Sequence, residues 1–280
     1  MAIAHGVGYR ARMQIPPPVG TQLREWRQRR RLSQLDLASH AAVSTRHLSC
    51  LETGRALPSR EMVLRLADRL DVPLRERNHL LTAAGYAPLY REHALADPEM
   101  QAPAQAVQRV LKAHEPYPAL AVDRHWQMVA ANRMVPLLLA ELPPALLQPP
   151  VNVLRLSLHP EGLAPHIVNL GAWRAHLLHR LQQQVRASAD PVLAKLADEL
   201  RALPPLPGEQ PAALPVDAGV YVPLRLRTRF GELNLISTIT VFGTPTDITL
   251  SELALESFFP ADEQTAAALH RLADQAQALG

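Results

Sequence analysis

At 280 residues, with 48% hydrophobic and 20% charged side chains, the chain has length for two globular domains and is no disordered tail protein. Its one cysteine, Cys50, excludes an intrachain disulfide and a four-cysteine zinc site, and the lack of an apolar run of about 18 residues or a signal-like start reads as a cytoplasmic protein without membrane contact. The formal net charge of +3 conceals an asymmetry, because residues 1–60 hold ten arginines against Glu25, Asp36 and Glu52, and such a basic block suits a polyanionic partner.

Residues 1–20, with Pro16-Pro17-Pro18 and no apolar period, read as a flexible arm. Thr21 is a candidate N-cap for a helix with Leu23 and Trp26 inward and Arg24, Arg27, Arg30 and Arg31 on the wet side. Ser33, with Asp36 at the third helical position, caps a second helix, and Ser44 caps a third. Leu37, with Leu35 and Ala38 beside it, supplies the inward face of the second helix, and Leu48 and Leu51 that of the third. Thr45, Arg46, His47, Ser49 and Cys50 then point outward, a donor-rich set of the kind that reads base edges in a major groove. Gly54 suits a left-handed helix stop, and Arg55 follows it where a phosphate would lie. Ser59 caps a helix carrying Met62, Val63, Leu66, Ala67 and Leu70, and a last helix after Pro73 carries Leu74, Leu80 and Leu81 to a stop at Gly85.

The residues Gln34-x-x-Leu37-Ala38, Val43-Ser44, Leu48-Ser49, Leu51-Glu52-x-Gly54-Arg55 and Pro58-Ser59 together resemble the lambda-repressor-like helix-turn-helix of the xenobiotic-response-element regulators. The resemblance implies an all-α DNA-binding domain over 21–86 with five helices, 21–31, 34–40, 45–52, 59–70 and 74–83. Ala42 occupies the turn position where that family usually has glycine, at a cost of about 1–2 kcal/mol if the backbone there is left-handed. The expected DNA-binding set is Gln34, Ser44, Thr45, Arg46, His47 and Ser49 at the groove, with Arg27 and Arg55 on phosphates.

Prolines 88, 98 and 103 mark 87–104 as a linker, and the pattern changes after it. Ala119–Val122 and Trp126–Ala130 read as a hairpin with its turn at Asp123-Arg124-His125, leading through Asn132 into a helix that ends near Leu142. The stretch 152–158 is ambiguous, 167–185 and 191–203 read as helices, and 204–218 as a loop or flap. Alternation predicts strands over 220–226 and 233–241 that meet at Phe230-Gly231, then a strand over 248–258 and a closing helix over 261–279.

This second region, 105–280, resembles the ligand-binding half of the MmyB-like regulators. The resemblance is carried by Pro118-Ala119-Leu120-Ala121-Val122-Asp123-Arg124-His125-Trp126, Leu158-His159-Pro160-Glu161-Gly162-Leu163, the Trp173 helix, Ser237-Thr238-Ile239-Thr240-x-Phe242-Gly243-Thr244-Pro245-x-Asp247-Ile248-Thr249-Leu250 and Phe258-Phe259-Pro260-Ala261-Asp262. It implies a Per-Arnt-Sim-like α+β fold, an antiparallel sheet with helices, that senses a small apolar molecule, fatty-acid-like ligands among the candidates. The expected pocket lies on the apolar strand faces, lined by Trp126, Trp173, Ile239 and Val241, with Ser237 offering a hydroxyl and 204–218 acting as a lid.

Catalytic constellations are poorly supported. His176 and His179 stand i, i+3 without a third ligand, Ser237 has no base and orienting acid, and no glycine loop cradles a phosphate, so the chain reads as a non-enzyme needing neither metal nor cofactor. The expectation is a sequence-specific transcription regulator, a homodimer on double-stranded DNA with a pseudo-palindromic operator, answering to a small-molecule effector. An antitoxin-like regulator of its own operon and an enzyme fused to a helix-turn-helix are the alternatives; against the first stands a full-sized C-terminal domain.

Overall fold

The computed structural model describes residues 17–210 and 222–278, and its internal contacts divide the chain into two units, Met1–Leu89 and Tyr90–Gly280. Most of the expected arm and much of the expected lid lie outside the described residues.

The first unit is built of α1 (Val19–Arg29), α2 (Gln34–His40), α3 (Thr45–Glu52), α4 (Arg60–Arg69) and α5 (Leu74–Ala83). Their starts are set by local hydrogen bonds. Ser33 Oγ accepts from the Asp36 N–H at 3.1 Å while the Asp36 carboxylate accepts from the Ser33 N–H at 2.9 Å, a reciprocal cap that satisfies two otherwise orphan donors. The Ser44 and Ser59 hydroxyls accept in the same way from the N–H groups of His47 and Met62. Only α1 departs from expectation: it begins at Val19 behind Pro18, so Thr21 is not its cap. Ala42 has φ 53°, so the turn between α2 and α3 is left-handed without the help of glycine.

Leu23, Leu37, Leu48, Leu51, Leu66 and Leu81 are wholly buried between the helices. Leu35, expected beside them, is 67% exposed, because a helix carries residues two apart to different faces and Leu37 takes the inward one. Gly20 lets α1 approach α3 closely: a Cβ there would sit 2.2 Å from the Leu51 carbonyl oxygen.

In the second unit the expected linker is largely structural. From Tyr90 onward it packs within this unit: His93 Nδ1 lies 2.7 Å from the Asp247 carboxylate, the Thr249 hydroxyl donates to the His93 carbonyl, and Met100 is buried. The elements are α6 (Gln101–Ala113), β1 (Ala119–Val122), β2 (Met128–Ala131), α7 (Met134–Leu139), α8 (Val153–Leu158), α9 (Leu170–Ser188), α10 (Pro191–Ala202), β3 (Leu224–Thr228), β4 (Gly231–Val241), α11 (Ile248–Ser251), β5 (Ala254–Pro260) and α12 (Glu263–Ala278). The strands form one antiparallel sheet in the order β2-β1-β5-β4-β3.

One face of the sheet, with Leu120, Val122, Leu226 and Leu235, joins the main apolar core together with residues of α7 to α10 and α12. The other face packs Ala119, Ala121 and Leu255 against Val107 and Leu111 of α6. The strand expected over 248–258 starts late, because the Asp247 side chain accepts from the Leu250 N–H and caps α11 first. Asn132 is buried and fully used: Oδ1 accepts from the N–H groups of Ala119 and Met134, and Nδ2 donates to the Leu111 and Tyr117 carbonyls, which ties α6, β1 and α7 together.

Helix propensity alone makes Gly20→Ala stabilising by about 1 kcal/mol, whereas the contact with Leu51 makes it an overpacking substitution that costs about 1–3 kcal/mol. Denaturant unfolding of the variant should show the loss; a gain would mean that α1 stands further from α3.

Candidate nucleic-acid interface and ligand cavity

Helix α3 presents two faces. Leu48 and Leu51 are buried, Arg46 and His47 are exposed, and Thr45, Ser49 and Cys50 are half-buried beside them. At the helix start the Ser44 hydroxyl oxygen accepts from the His47 N–H. Arg55 is exposed just past the helix, after Gly54 at φ 72°. Arg46, His47 and Arg55 are thus open to solvent, while Thr45, Ser49 and Cys50 are partly covered.

Two arginines expected at the wet side of α1 are instead parts of the framework. Arg27 is buried, and its Nε and Nη2 donate to the two Glu52 carboxylate oxygens at 2.6 and 2.8 Å, while Nη1 donates to the Leu32 carbonyl at 2.8 Å. The phosphate contact expected of Arg27 is therefore replaced by an internal one. Gln34, expected at the groove, donates from Nε2 to Glu52 Oε2 at 2.8 Å. Arg30 reaches across to the two carbonyls that follow α4, those of Leu70 and Asp71, at 2.7 Å each. Burial alone would raise the Glu52 pKa, but hydrogen bonds from Arg27 and Gln34 and the charges of Arg27 and Arg24 outweigh it and hold the carboxyl below its ordinary value. The Glu52 hydrogen bond in turn raises the Arg27 pKa, opposed by burial.

In the second unit an apolar cavity of about 100 Å³ lies between the sheet and helices α7, α8 and α9. Its walls are almost entirely aliphatic and aromatic, with Leu120, Met128, Val135, Leu156, Trp173 and Leu235 among them. Ser157 and Glu256 supply side-chain oxygen. Ser157 is buried and its Oγ accepts from Trp173 Nε1 at 2.9 Å. The Glu256 side chain is 7% exposed and accepts from Arg180 Nη1 at 3.1 Å.

Of the five residues expected to line a pocket, Trp173 does so. Trp126 is buried nearby, in a left-handed conformation at φ 66°, with Nε1 donating to Gln184 Oε1 at 2.7 Å and the Arg180 guanidinium 4.2 Å above its ring. Ser237, Ile239 and Val241 share the correct sheet face, yet none of them lines the cavity. The register sets Ser237 opposite Phe258 and Ile239 opposite Glu256, and toward the end of β4 Ile239 and Val241 emerge to 41% and 60% exposure. The polar groups that do face the cavity were legible as anomalies: a serine within Leu154-Arg155-Leu156-Ser157-Leu158 and a carboxylate within Leu253-Ala254-Leu255-Glu256. His176 stacks on Trp173 with ring centroids 5.4 Å apart, and burial, with help from Arg180 and His179, lowers its pKa.

Residues 103–272 match the family model of the MmyB-like transcription regulator ligand binding domain, and residues 18–80 match a helix-turn-helix domain. No curated protein matches the chain. Among the described residues no helix is long and apolar enough to cross a membrane.

Because the folded Glu52 pKa lies below its ordinary 4.5, its contribution to stability is complete above that value and is lost as pH falls through the folded pKa. Glu52→Ala should cost about 3–5 kcal/mol at neutral pH, since Arg27 is left buried and unpaired. Denaturation at pH about 7 and about 3 should show a steeper acid loss in the wild type than in the variant; equal losses would mean that the pair does not govern this unit.

Proposed function

This chain belongs to the family of MmyB-like transcription regulators, and on that premise we propose that α3 reads an operator while an apolar effector in the cavity of the second unit adjusts DNA affinity. It is a DNA-binding transcription regulator with a ligand-binding domain, and both matched families are regulatory rather than enzymatic. The observation that carries the reading is the pairing of a donor set, exposed Arg46 and His47 with half-buried Thr45, on the first turn of a capped helix with an apolar cavity in the domain of the ligand-binding family.

The chemistry of each part is separable. Arg46 has the reach and the planar fork to pair with the O6 and N7 edge of a guanine, and Thr45 and His47 flank it. Arg55, Ser44 and Ser49 favour contacts to sugar and phosphate that position the helix without reading sequence. Gln34 and Arg27 act one step behind, by fixing Glu52 and with it the end of α3. One such helix reads too few bases for genomic selectivity, so the operator is pseudo-palindromic and is read by a two-fold dimer with half-sites about 10–10.5 base pairs apart or a multiple of that. The effector shifts DNA affinity by its differential affinity for the DNA-competent state, about 1–3 kcal/mol of coupling.

Selection of bound duplexes from a random pool supplies the operator. Arg46→Ala should then lose about 1–3 kcal/mol on it and relax preference at one position in each half-site, whereas Arg55→Ala should weaken all sequences alike and reduce the salt slope by about one unit. An unchanged preference in the Arg46 variant would remove α3 as the reading element.

A further inference from the structure

The cavity contains an unfilled hydrogen-bonding position, and its surroundings decide what fills it. Glu256 lies on β5, in register with Leu120 of β1 and Ile239 of β4, so its side chain shares the sheet face that carries the core. That side chain is 7% exposed, and its one hydrogen bond among the described residues runs from Arg180 Nη1 to Oε1, 3.1 Å long. Glu256 itself borders the cavity, and Oε2 has no donor among the described residues at a wall that is almost entirely apolar. Ser157 is also buried on this wall; its oxygen already accepts from Trp173 Nε1, and its own proton has no acceptor among the described residues.

We propose that the effector is a small neutral molecule with an apolar body and one hydroxyl group, an alcohol or a phenol, whose hydroxyl donates to Glu256. This rests on the cavity being the effector site. Three observations select the class. A carboxylate accepts hydrogen bonds and never donates them, so the ligand must bring the donor. Arg180 already neutralises Glu256, so a second charge of either sign would be buried without a counterion, which disfavours a fatty carboxylate and an ammonium alike. The volume of about 100 Å³ suits a body of benzene size or a short alkyl chain. The free Ser157 proton suits the ligand oxygen as a second contact. A sparse set of hydrogen-bonding groups at the wall of an apolar site gives discrimination against isosteres that lack the donor, because Oε2 of Glu256 is then left without one.

The test is isothermal titration of the full chain with four probes of matched size: hexan-1-ol, 1-methoxypentane, hexanoate and hexylammonium. Hexan-1-ol should bind more tightly than each of the others by about tenfold or more. In Glu256→Leu the preference for hexan-1-ol over 1-methoxypentane should fall to near unity while both still bind; if that variant does not fold, the series on the wild-type chain decides alone. Equal binding of hexan-1-ol and 1-methoxypentane would overturn the role of Glu256, and preference for hexanoate or hexylammonium would overturn the neutral class. Either result leaves the cavity standing as the effector site. Heat from none of the four at millimolar concentration would overturn the cavity reading and the inference with it.

Discussion

The Glu52 carboxylate stands at the end of α3, inside the first unit, where withdrawal from water costs several kcal/mol unless close partners answer it. Two oxygens meet three donors: Nε and Nη2 of Arg27 from α1, and Nε2 of Gln34 from the first turn of α2. One buried charge thus specifies the mutual placement of three helices more sharply than apolar packing does, since hydrogen bonds are directional and leucine contacts are not. Gly20 extends the constraint, because only a residue without Cβ lets α1 come so near the Leu51 carbonyl. The consequence falls on the opposite face of α3. With its last turn clamped and its first turn capped by Ser44, the helix holds Arg46 and His47 at a fixed angle to the unit, which is what reading a groove demands.

The second unit contains a related arrangement put to a different use. Glu256 is also a buried carboxylate with an arginine partner, but Arg180 reaches one of its oxygens and spreads its guanidinium over the Trp126 ring, and the other oxygen has no donor among the described residues where Glu256 borders an apolar cavity. A fully answered carboxylate fixes structure; a half-answered one creates a demand that a ligand can meet. Trp126 links this site to the hairpin turn between β1 and β2. Its left-handed backbone, unfavourable by about 1–2 kcal/mol for a residue with a Cβ, is held by the Asp123 carboxylate accepting from the His125 and Gln127 N–H groups.

Caps, turns and periodicities were readable because they depend on residues within a few positions of one another. Ser33 with Asp36, Ser44 and Ser59 gave the starts of α2, α3 and α4, and the alternation around Phe230-Gly231 gave the β3–β4 hairpin. What misled was tertiary. Nothing near Arg27 in sequence distinguishes it from Arg24 or Arg29; its partner Glu52 lies on another helix, so a framework residue passed for a phosphate contact. Ser237 had the right parity along its strand, but parity does not say where the covering helices stop, and the core ends near Leu235. The late start of β5 has a local cause, since Asp247 before Ile248-Thr249-Leu250 is a helix cap as readable as Ser33.

That occupancy of the cavity sets DNA affinity is most directly tested by filling the cavity from within. Val135→Phe adds a ring to the wall contributed by α7, and the operator affinity of the full chain is compared with that of the wild type by titration at one salt concentration. The account predicts that the variant binds its operator with an affinity altered by about fivefold or more, fixed against further change by added effector. An affinity identical to that of the wild type, in a variant that folds and no longer binds the probes, would show that the cavity and the DNA-reading surface are not linked.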